Sequence, residues 1–176
     1  MVFFISKKGR KIEIRKIQEN DWVGLRNLMN SLVKENAFIL RDVPISKEEQ
    51  IKNLKKRIED MKKKKRVDLV AIYNGKLVAN IYIRRKKFKE KHVGTLGVFV
   101  KKNYRNEGIG KALIKEALKH SKKIGIKLVV LGVFKVNKPA ISLYKKLGFK
   151  KYGELPKALK HKGRYMNNVL MYKRLG

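Results

Sequence analysis

The fold is decided by residues 92–134, which read HVGTLGVFVKKNYRNEGIGKALIKEALKHSKKIGIKLVVLGVF. Residues 92–100 and 127–134 are rich in β-branched and aromatic side chains and predict two strands. Between them, apolar residues at helical spacing predict a helix over residues 108–124, which Gly125 ends. A strand–helix–strand crossover is nearly always right-handed and makes its two strands parallel. We therefore predict an α/β protein whose sheet has a parallel unit at its centre.

More strands and helices are predicted on both sides of this unit. The dipeptide Asn74-Gly75 lies between two β-rich runs and predicts a hairpin, so the sheet should begin with antiparallel strands. Ser46 and Glu49 form a capping-box pattern, in which each side chain bonds the other residue's free amide, and predict a helix start. The further predicted strands cover residues 11–17, 67–73, 76–84 and 165–173, and the further helices run from Trp22 to Leu32, from Ile51 to Met61 and from Pro139 to Leu147.

Length and composition bound the class of protein. With 176 residues, 43% of them hydrophobic, we expect one domain over residues 1–176. Together, the strands and helices predicted along the chain indicate a mixed sheet of roughly six to seven strands with about four helices. No apolar run approaches the roughly 20 residues of a membrane-spanning helix, and residues 1–5 do not resemble a secretory signal. We therefore expect no membrane partner and a mature chain that starts at Met1. The absence of cysteine excludes disulfides and thiolate chemistry and fits a cytoplasmic location.

The net charge of +33 is the strongest compositional signal. A domain so basic is a candidate for nucleic-acid binding, and we keep a nucleic-acid-binding module as an alternative class. However, 36 of the 47 basic residues are lysines spread along the whole chain, and no recognisable nucleic-acid motif accompanies them. Lysine enrichment is also common in proteins from hot environments. The charge by itself therefore does not assign a partner.

Residues 105–112, between the first predicted strand of the central unit and its helix, predict an anion site. Backbone N–H groups and the positive end of the helix dipole face the same space at such a junction. The Walker pattern would need glycine at Arg105 and serine or threonine at Ala112. The dinucleotide fingerprint would need a small residue at Leu113. Neither a P-loop NTPase nor a Rossmann dehydrogenase is supported.

Two motifs resemble those of the GNAT acyltransferases. Arg105-x-x-Gly108-x-Gly110 resembles the Arg/Gln-x-x-Gly-x-Gly/Ala loop that holds the pyrophosphate of acetyl-CoA in that family. Residues 137–149 resemble its second signature, Asn-x-x-Ala-x-x-Leu-Tyr-x-x-x-Gly-Phe. The resemblance extends over about residues 11–175 and is most specific over 92–149. It implies an N-acetyltransferase that uses acetyl-CoA as co-substrate and needs no metal.

The resemblance also implies which residues form the site. The two central strands should splay apart beside a bulge, for which Gly94 and Gly97 are candidates, and so free backbone amides for the pantetheine arm. Tyr144 would be the catalytic acid that protonates the departing thiolate, since phenol and thiol acidities differ by only about two pKa units. The implied cofactor-binding residues are Val98, Phe99, Val100, Arg105, Asn106, Glu107, Gly108, Ile109, Gly110, Lys111 and Asn137.

The implied mechanism is direct transfer, in which an amine attacks the acetyl carbonyl and an amide near Val98 steadies the oxyanion. The acceptor amine must lose a proton, but Thr95 stands where the family often has a glutamate, and threonine cannot act as a base at neutral pH. The remaining candidates for the base are Glu35, Glu90, His92 and His161, each of which also reads as a surface or structural residue.

The acceptor is framed in this family by segments that correspond to residues 35–50 and 160–168. Residues 161–171 resemble the branch that acetylates free amino acids or simple amines, which is our first expectation. A protein or ribosomal-protein N-acetyltransferase remains an alternative, and so does a sensor that binds acetyl-CoA without catalysis. The sequence leaves open whether the chain forms a homodimer.

Overall fold

The computed structural model describes all residues, Met1–Gly176. All eight strands form one mixed sheet, in the order β1-β2-β3-β4-β5-β6-β8-β7, and only β5 and β6 are parallel. The α/β prediction and the parallel centre are confirmed, but the sheet has eight strands rather than six to seven. The strands are β1 Val2–Ile5, β2 Lys11–Lys16, β3 Arg66–Tyr73, β4 Lys76–Arg85, β5 Val93–Val100, β6 Leu128–Phe134, β7 Lys150–His161 and β8 Arg164–Arg174, and the helices are α1 Trp22–Lys34, α2 Lys47–Lys62, α3 Ile109–Lys123 and α4 Lys138–Lys146.

The two edge strands, β1 and β7, were not predicted. Strand β1 is short and mostly exposed, and it pairs with β2 from Val2 opposite Ile14 to Ile5 opposite Lys11. Strand β7 has no alternation of apolar and polar residues, and its pairing with β8 is interrupted twice, once near Gly153 and once after Leu155. Edge strands with one free side and little burial leave a weak sequence pattern.

Helices cover both faces of the sheet. Helices α3 and α4 pack over a large core of 24 buried residues, whereas α1 and α2 cover a smaller core of eight. In α3 the buried side chains Ile109, Leu113 and Ala117 recur at helical spacing, which fixes the face that meets the sheet. The start of α3 therefore lies on the side of the sheet that has the larger core. None of the helices is both long and apolar enough to cross a membrane.

The local turn and cap predictions are largely confirmed. Asn74 and Gly75, with φ of 46° and 70°, connect β3 and β4 as a two-residue hairpin. Ser46 caps α2, because its hydroxyl accepts a hydrogen bond of 3.1 Å from the Glu49 backbone N–H. The reciprocal half of the capping box is wrong, since the Glu49 carboxylate binds the guanidinium of Arg41 instead.

Candidate functional site

An opening between β5 and β6 forms the centre of the site. The two parallel strands pair only from Val93 opposite Leu128 to Thr95 opposite Val130, and then diverge. Hydrogen bonds from Lys86 N to Val93 O (2.8 Å) and from Lys101 N to Val78 O (3.0 Å) show that odd-numbered residues of β5 bond to β4. Since an extended strand directs alternate backbone groups to opposite sides, even-numbered residues face β6.

Three β5 amides were predicted to contact the co-substrate, and this alternation directs two of them toward the opening and one toward β4. The N–H groups of Val98 and Val100 face the opening, as expected. The prediction for Phe99 is wrong, because its N–H points the other way, toward Asn80 of β4. The Phe99 side chain packs on the α1–α2 face of the sheet.

The predicted bulge at Gly94 or Gly97 is also wrong, because β4 and β5 pair in unbroken register. The two glycines instead make room for side chains of β4. A Cβ atom would lie 2.6 Å from Ile83 Cγ2 at Gly94 and 2.6 Å from Tyr82 Cζ at Gly97. The two strands therefore separate after Thr95 and Val130 without a bulge in the β4–β5 pairing, while β5 stays paired with β4 and β6 with β8.

The start of α3 lies beside this opening. The first helical bond runs from Ala112 N to Gly108 O (3.0 Å), so the N–H groups of Ile109, Gly110 and Lys111 have no partner within the helix. Gly108 has a φ of 89°, and no atom lies within 4 Å of the position that its Cβ would occupy. Free N–H groups, the positive end of the helix dipole and open space are the features that suit an anion.

Helix α4 closes the other side of the opening. A Cβ atom at Gly110 would lie 3.5 Å from Leu143 Cδ2 and 3.8 Å from Val100 Cγ2, so α3, α4 and the end of β5 meet at this glycine. The side-chain oxygen of Asn137 accepts a hydrogen bond from Ala140 N (3.3 Å) and caps α4. Its amide nitrogen, Nδ2, remains available as a donor.

Tyr144 lies on the buried face of α4. Its side chain is 7% exposed, and its ring packs edge-on against Phe149 with the centroids 5.7 Å apart. Burial raises the pKa of Tyr144 to about 12. The phenol is therefore protonated at neutral pH, as an acid must be.

The segment between β5 and α3, residues 101–108, is here called the cofactor loop, and two of its charged side chains are bound to other parts of the protein. Arg105 donates from Nε to the carbonyl of Val100 (3.1 Å), and its Nη2 forms an ion pair with the carboxylate of Glu35. The Glu107 side chain is 1% exposed and faces away from the open side of the loop, toward Ser6 and Arg10. Glu107 was predicted as one of the cofactor-binding residues, and its inward side chain leaves only its backbone for such a contact.

A cavity of about 260 Å³ lies where β4, β5, β6, β7 and β8 meet the loop after α1. No charged side chain lines it. Its polar residues are Tyr82, Thr95, Tyr152 and Asn168, and the Oδ1 atom of Asn168 is enclosed without a hydrogen-bond partner. The sequence interpretation missed Tyr82, Tyr152 and Asn168 as site residues, because no local motif surrounds them. Thr95 lies in this cavity and brings no carboxylate to it.

A second cavity, of about 320 Å³, lies between residues 36–42 and the β7–β8 turn. The two segments predicted to frame the acceptor thus come together. His161 lines this cavity, and its ring packs on Phe38 and Phe134 at centroid distances of 4.9 Å and 6.0 Å. Since Phe134 and Leu40 also line the first cavity, the two cavities are neighbours.

The structure separates the four candidates for the base. Glu35 is paired with Arg105, and Glu90 binds Lys86 at 2.6 Å in the turn before β5. His92 is exposed beside that same turn, at the end of β5 away from the opening. Of the four, only His161 lines one of the two cavities.

Comparison with known proteins agrees with this geometry. Residues 29–149 match the model of the Acetyltransferase (GNAT) family. The chain is 30% identical over 105 residues to the L-amino acid N-acetyltransferase AaaT of Escherichia coli, a match covering 58% of this chain and 65% of that protein. It is 48% identical over 52 residues to the uncharacterized N-acetyltransferase MJ1207 of Methanocaldococcus jannaschii, a match covering 30% of this chain and 23% of that protein. These matches span less than two thirds of either relative.

Solved structures resemble nearly the whole chain. An acetyltransferase of the GNAT family from Streptococcus pneumoniae superposes with a TM-score of 0.85 at 27% identity, covering 93% of this chain and 99% of that one. A ribosomal-protein-alanine N-acetyltransferase from Brucella melitensis has the same TM-score and coverage at 25% identity. The yncA protein of Salmonella typhimurium, solved with its cofactor acetyl-CoA, shares the fold with a TM-score of 0.85 at 20% identity, covering 94% of each chain. The chain belongs to the GNAT acetyltransferase family.

Proposed function

We propose that this protein transfers the acetyl group of acetyl-CoA to the primary amine of a small molecule, with a free amino acid as the first candidate. The observation that carries the proposal is the opening between β5 and β6. There the N–H groups of Val98 and Val100, the start of α3 and the helix that holds Tyr144 border one space. The acetyl-CoA in the related yncA structure supports the choice of co-substrate.

The residues present fit acetyl-CoA. Its diphosphate would bind at the start of α3, where three N–H groups lack helix partners and Gly108 leaves open space. The pantetheine amides would add to the exposed side of β5, as a short extra strand would. The amide nitrogen of Asn137 would supply one more donor.

In the proposed reaction, the amine attacks the thioester carbonyl of acetyl-CoA. The amine nitrogen forms a bond to the acetyl carbon, the carbon–sulfur bond breaks, and Tyr144 gives its proton to the sulfur. A phenol with a pKa of about 12 is a weak acid, but a thiolate in the same enclosed space also becomes more basic, because burial disfavours any anion. The proton that the amine loses has no buried carboxylate to receive it, so we propose that it leaves through water in the cavities next to His161. Water then returns a proton to the Tyr144 phenolate, which closes the cycle.

The acceptor is inferred from the cavities. The cavity beside Thr95 holds about 260 Å³ and has no charged lining, so it suits an uncharged side chain of modest size. The neighbouring cavity is lined by three cations, Arg41, Lys160 and Lys162, and by one acid, Asp42. Its excess of positive charge suits a carboxylate. An uncharged side chain beside a carboxylate describes a free amino acid, and the name of the AaaT relative points the same way.

A second candidate is a protein N-acetyltransferase, favoured by the likeness to the Brucella enzyme that acts on ribosomal-protein alanine. Thiol release should be measured with acetyl-CoA and a panel of free amino acids, simple amines and short peptides. We expect turnover with free amino acids that have uncharged side chains. Turnover of peptides alone would select the second candidate. Failure of wild-type protein to bind acetyl-CoA in a calorimetric titration would refute both.

A further inference from the structure

The loop proposed for the diphosphate contains an acidic residue, which is unexpected in an anion site. Glu107 lies between Asn106 and Gly108, next to the N–H groups that would bind the diphosphate. An ionised carboxylate there would repel the ligand. Its side chain is 1% exposed, so the charge is also buried and must be compensated.

The compensation comes from the turn between β1 and β2. Ser6 Oγ donates to Glu107 Oε2 at 3.1 Å, and Arg10 Nη1 lies 3.1 Å from Glu107 Oε1. Lys8 Nζ adds a more distant positive charge at 3.8 Å. A backbone hydrogen bond adds to these contacts, since Lys7 N donates to the carbonyl of Glu107 at 3.1 Å. The N-terminal turn thus binds the back of the cofactor loop.

Arg10 is itself held in place by the same loop. Its Nη1 donates to the carbonyl of Asn103 at 3.4 Å. Its guanidinium lies over the rings of Tyr104 and Tyr73, 4.7 Å and 5.4 Å from their centroids. Hydrogen bonding, ion pairing and cation–π contacts therefore fix the cation on several sides.

The backbone on both sides of Glu107 is left-handed, with φ of 63° at Asn106 and 89° at Gly108. Such a conformation is unfavourable for a residue with a side chain and persists where its surroundings hold it. The Glu107 side chain lies between these two residues in the chain and is bound to Ser6 and Arg10. With Glu107 fixed inward, the loop can keep its open side free for a ligand.

We propose that Ser6, Arg10 and Glu107, here called the loop anchor, position the cofactor loop, and that Arg10 neutralises Glu107 so that a diphosphate can bind in front of it. The ligand in this inference rests on the proposed function. Two of the three anchor residues, Ser6 and Arg10, lie outside residues 29–149, which match the family model. These three are positioning residues, since the proposal needs no contact between them and the substrate.

Arg10 is proposed both to hold the loop and to neutralise the charge of Glu107, and paired variants can separate these two roles. Arg10→Met leaves the Glu107 charge uncompensated beside the diphosphate, whereas Glu107→Gln removes that charge but keeps a side chain that can bond Ser6. If neutralisation matters, adding Glu107→Gln to Arg10→Met should restore part of the lost affinity. If the contact only stabilises the fold, the two losses should add or the second change should have no effect.

Calorimetric titration with acetyl-CoA tests this in full-length protein. We expect Arg10→Met to weaken binding about tenfold or more, and the double variant to bind at least about threefold tighter than Arg10→Met, because burial strengthens the repulsion between the two negative charges. The control is Arg15→Met on β2, which breaks the ion pair with Asp21 before α1 (2.7 Å). It should leave the affinity unchanged at a similar loss of melting temperature. A double variant that binds no better than Arg10→Met would overturn the neutralisation.

Hydrogen exchange in the free protein provides a readout that needs no ligand. Amides of residues 103–108 should exchange faster in Ser6→Ala and Arg10→Met than in wild type, while Arg15→Met leaves them unchanged. Unchanged exchange in both anchor variants would overturn the positioning role. A wild-type protein that fails to bind acetyl-CoA would refute the proposed function, but the exchange result would still decide whether the anchor holds the loop.

Discussion

The two sides of the site are built differently. The side proposed for the co-substrate consists largely of backbone groups from one continuous segment, the end of β5 and the start of α3, with α4 beside them. The side proposed for the acceptor is a cavity lined by side chains from five strands and the loop after α1. The first rests on the large core under α3 and α4, whereas the second lies toward the edge of the sheet formed by β7 and β8.

This difference explains which side is visible in a sequence. Backbone N–H groups are the same in every residue, so a backbone site needs only glycines and helix starts at fixed spacing, as at Gly108 and Gly110. A cavity lined by side chains depends on which distant residues meet, as Thr95 and Asn168 do. Substitutions at the end of β5 or the start of α3 should therefore affect acetyl-CoA binding. Substitutions in the cavity should affect the acceptor.

The largest effect is expected from Gly108→Asp. The variant places a carboxylate in the open space of the anion site and forces an unfavourable φ on a residue with a side chain, so acetyl-CoA affinity should fall at least about a hundredfold. Calorimetric titration measures this. The matched control is Gly75→Asp in the β3–β4 turn, where φ is 70° and no atom lies near the Cβ position. Equal losses in both variants would show that backbone strain, and not the site, is responsible.

Tyr144→Phe should lower kcat by about a hundredfold, because the variant loses the proton donor but keeps the packing on Phe149. The affinity for acetyl-CoA should hardly change. Since burial raises the Tyr144 pKa to about 12, the phenol keeps its proton from pH 6 to pH 10, and no loss of activity in that range should come from its ionisation. Initial rates across this range test both statements. Tyr172→Phe on β8, which removes a phenol hydroxyl from a residue that lines neither cavity, is the control. Full activity in Tyr144→Phe would remove the acid role.

Leu159→Trp should raise the KM for the acceptor by about tenfold, because the larger side chain fills part of the cavity without touching the opening at β5. The affinity for acetyl-CoA should stay the same. Leu155→Trp, on the same strand but 55% exposed and outside the cavity lining, provides the control for surface hydrophobicity. A change in acetyl-CoA affinity with an unchanged acceptor KM would reverse the assignment of the two sides.

The smallest effect is expected from Thr95→Val. Threonine cannot serve as a base, so removal of its hydroxyl should leave kcat within about twofold while the similar shape preserves the cavity. The pH dependence of kcat/KM should also keep its form. A large loss of kcat would show that the Thr95 hydroxyl holds a water or the acceptor itself in the transition state.

The fold was predictable where the pattern is local. The Asn74-Gly75 turn, the Ser46 cap and the central β5–α3–β6 unit follow from residues close in sequence. Strands β1 and β7 were missed because an edge strand is only partly buried and its alternation is weak. Their positions depend on pairing with distant strands.

The site was predictable to the level of a motif but not of individual atoms. The motif identified the loop, but it could not show that the Phe99 N–H faces β4, because this depends on the register with β4. Nor could it show that Glu107 turns inward, since its partners Ser6 and Arg10 lie about a hundred residues earlier in the chain. The direction of the Phe99 N–H and that of the Glu107 side chain both depend on contacts with residues outside the motif.

The most direct test of the central claim is residue-resolved amide exchange by NMR, with and without acetyl-CoA. In the free protein, the Val98 and Val100 amides should exchange quickly because they face the opening, whereas Phe99 should be protected by β4. Acetyl-CoA should slow exchange at Val98 and Val100 and at the first amides of α3, and leave Phe99 unchanged. Saturating acetyl-CoA that leaves Val98 and Val100 unprotected, while protecting amides elsewhere, would contradict the account.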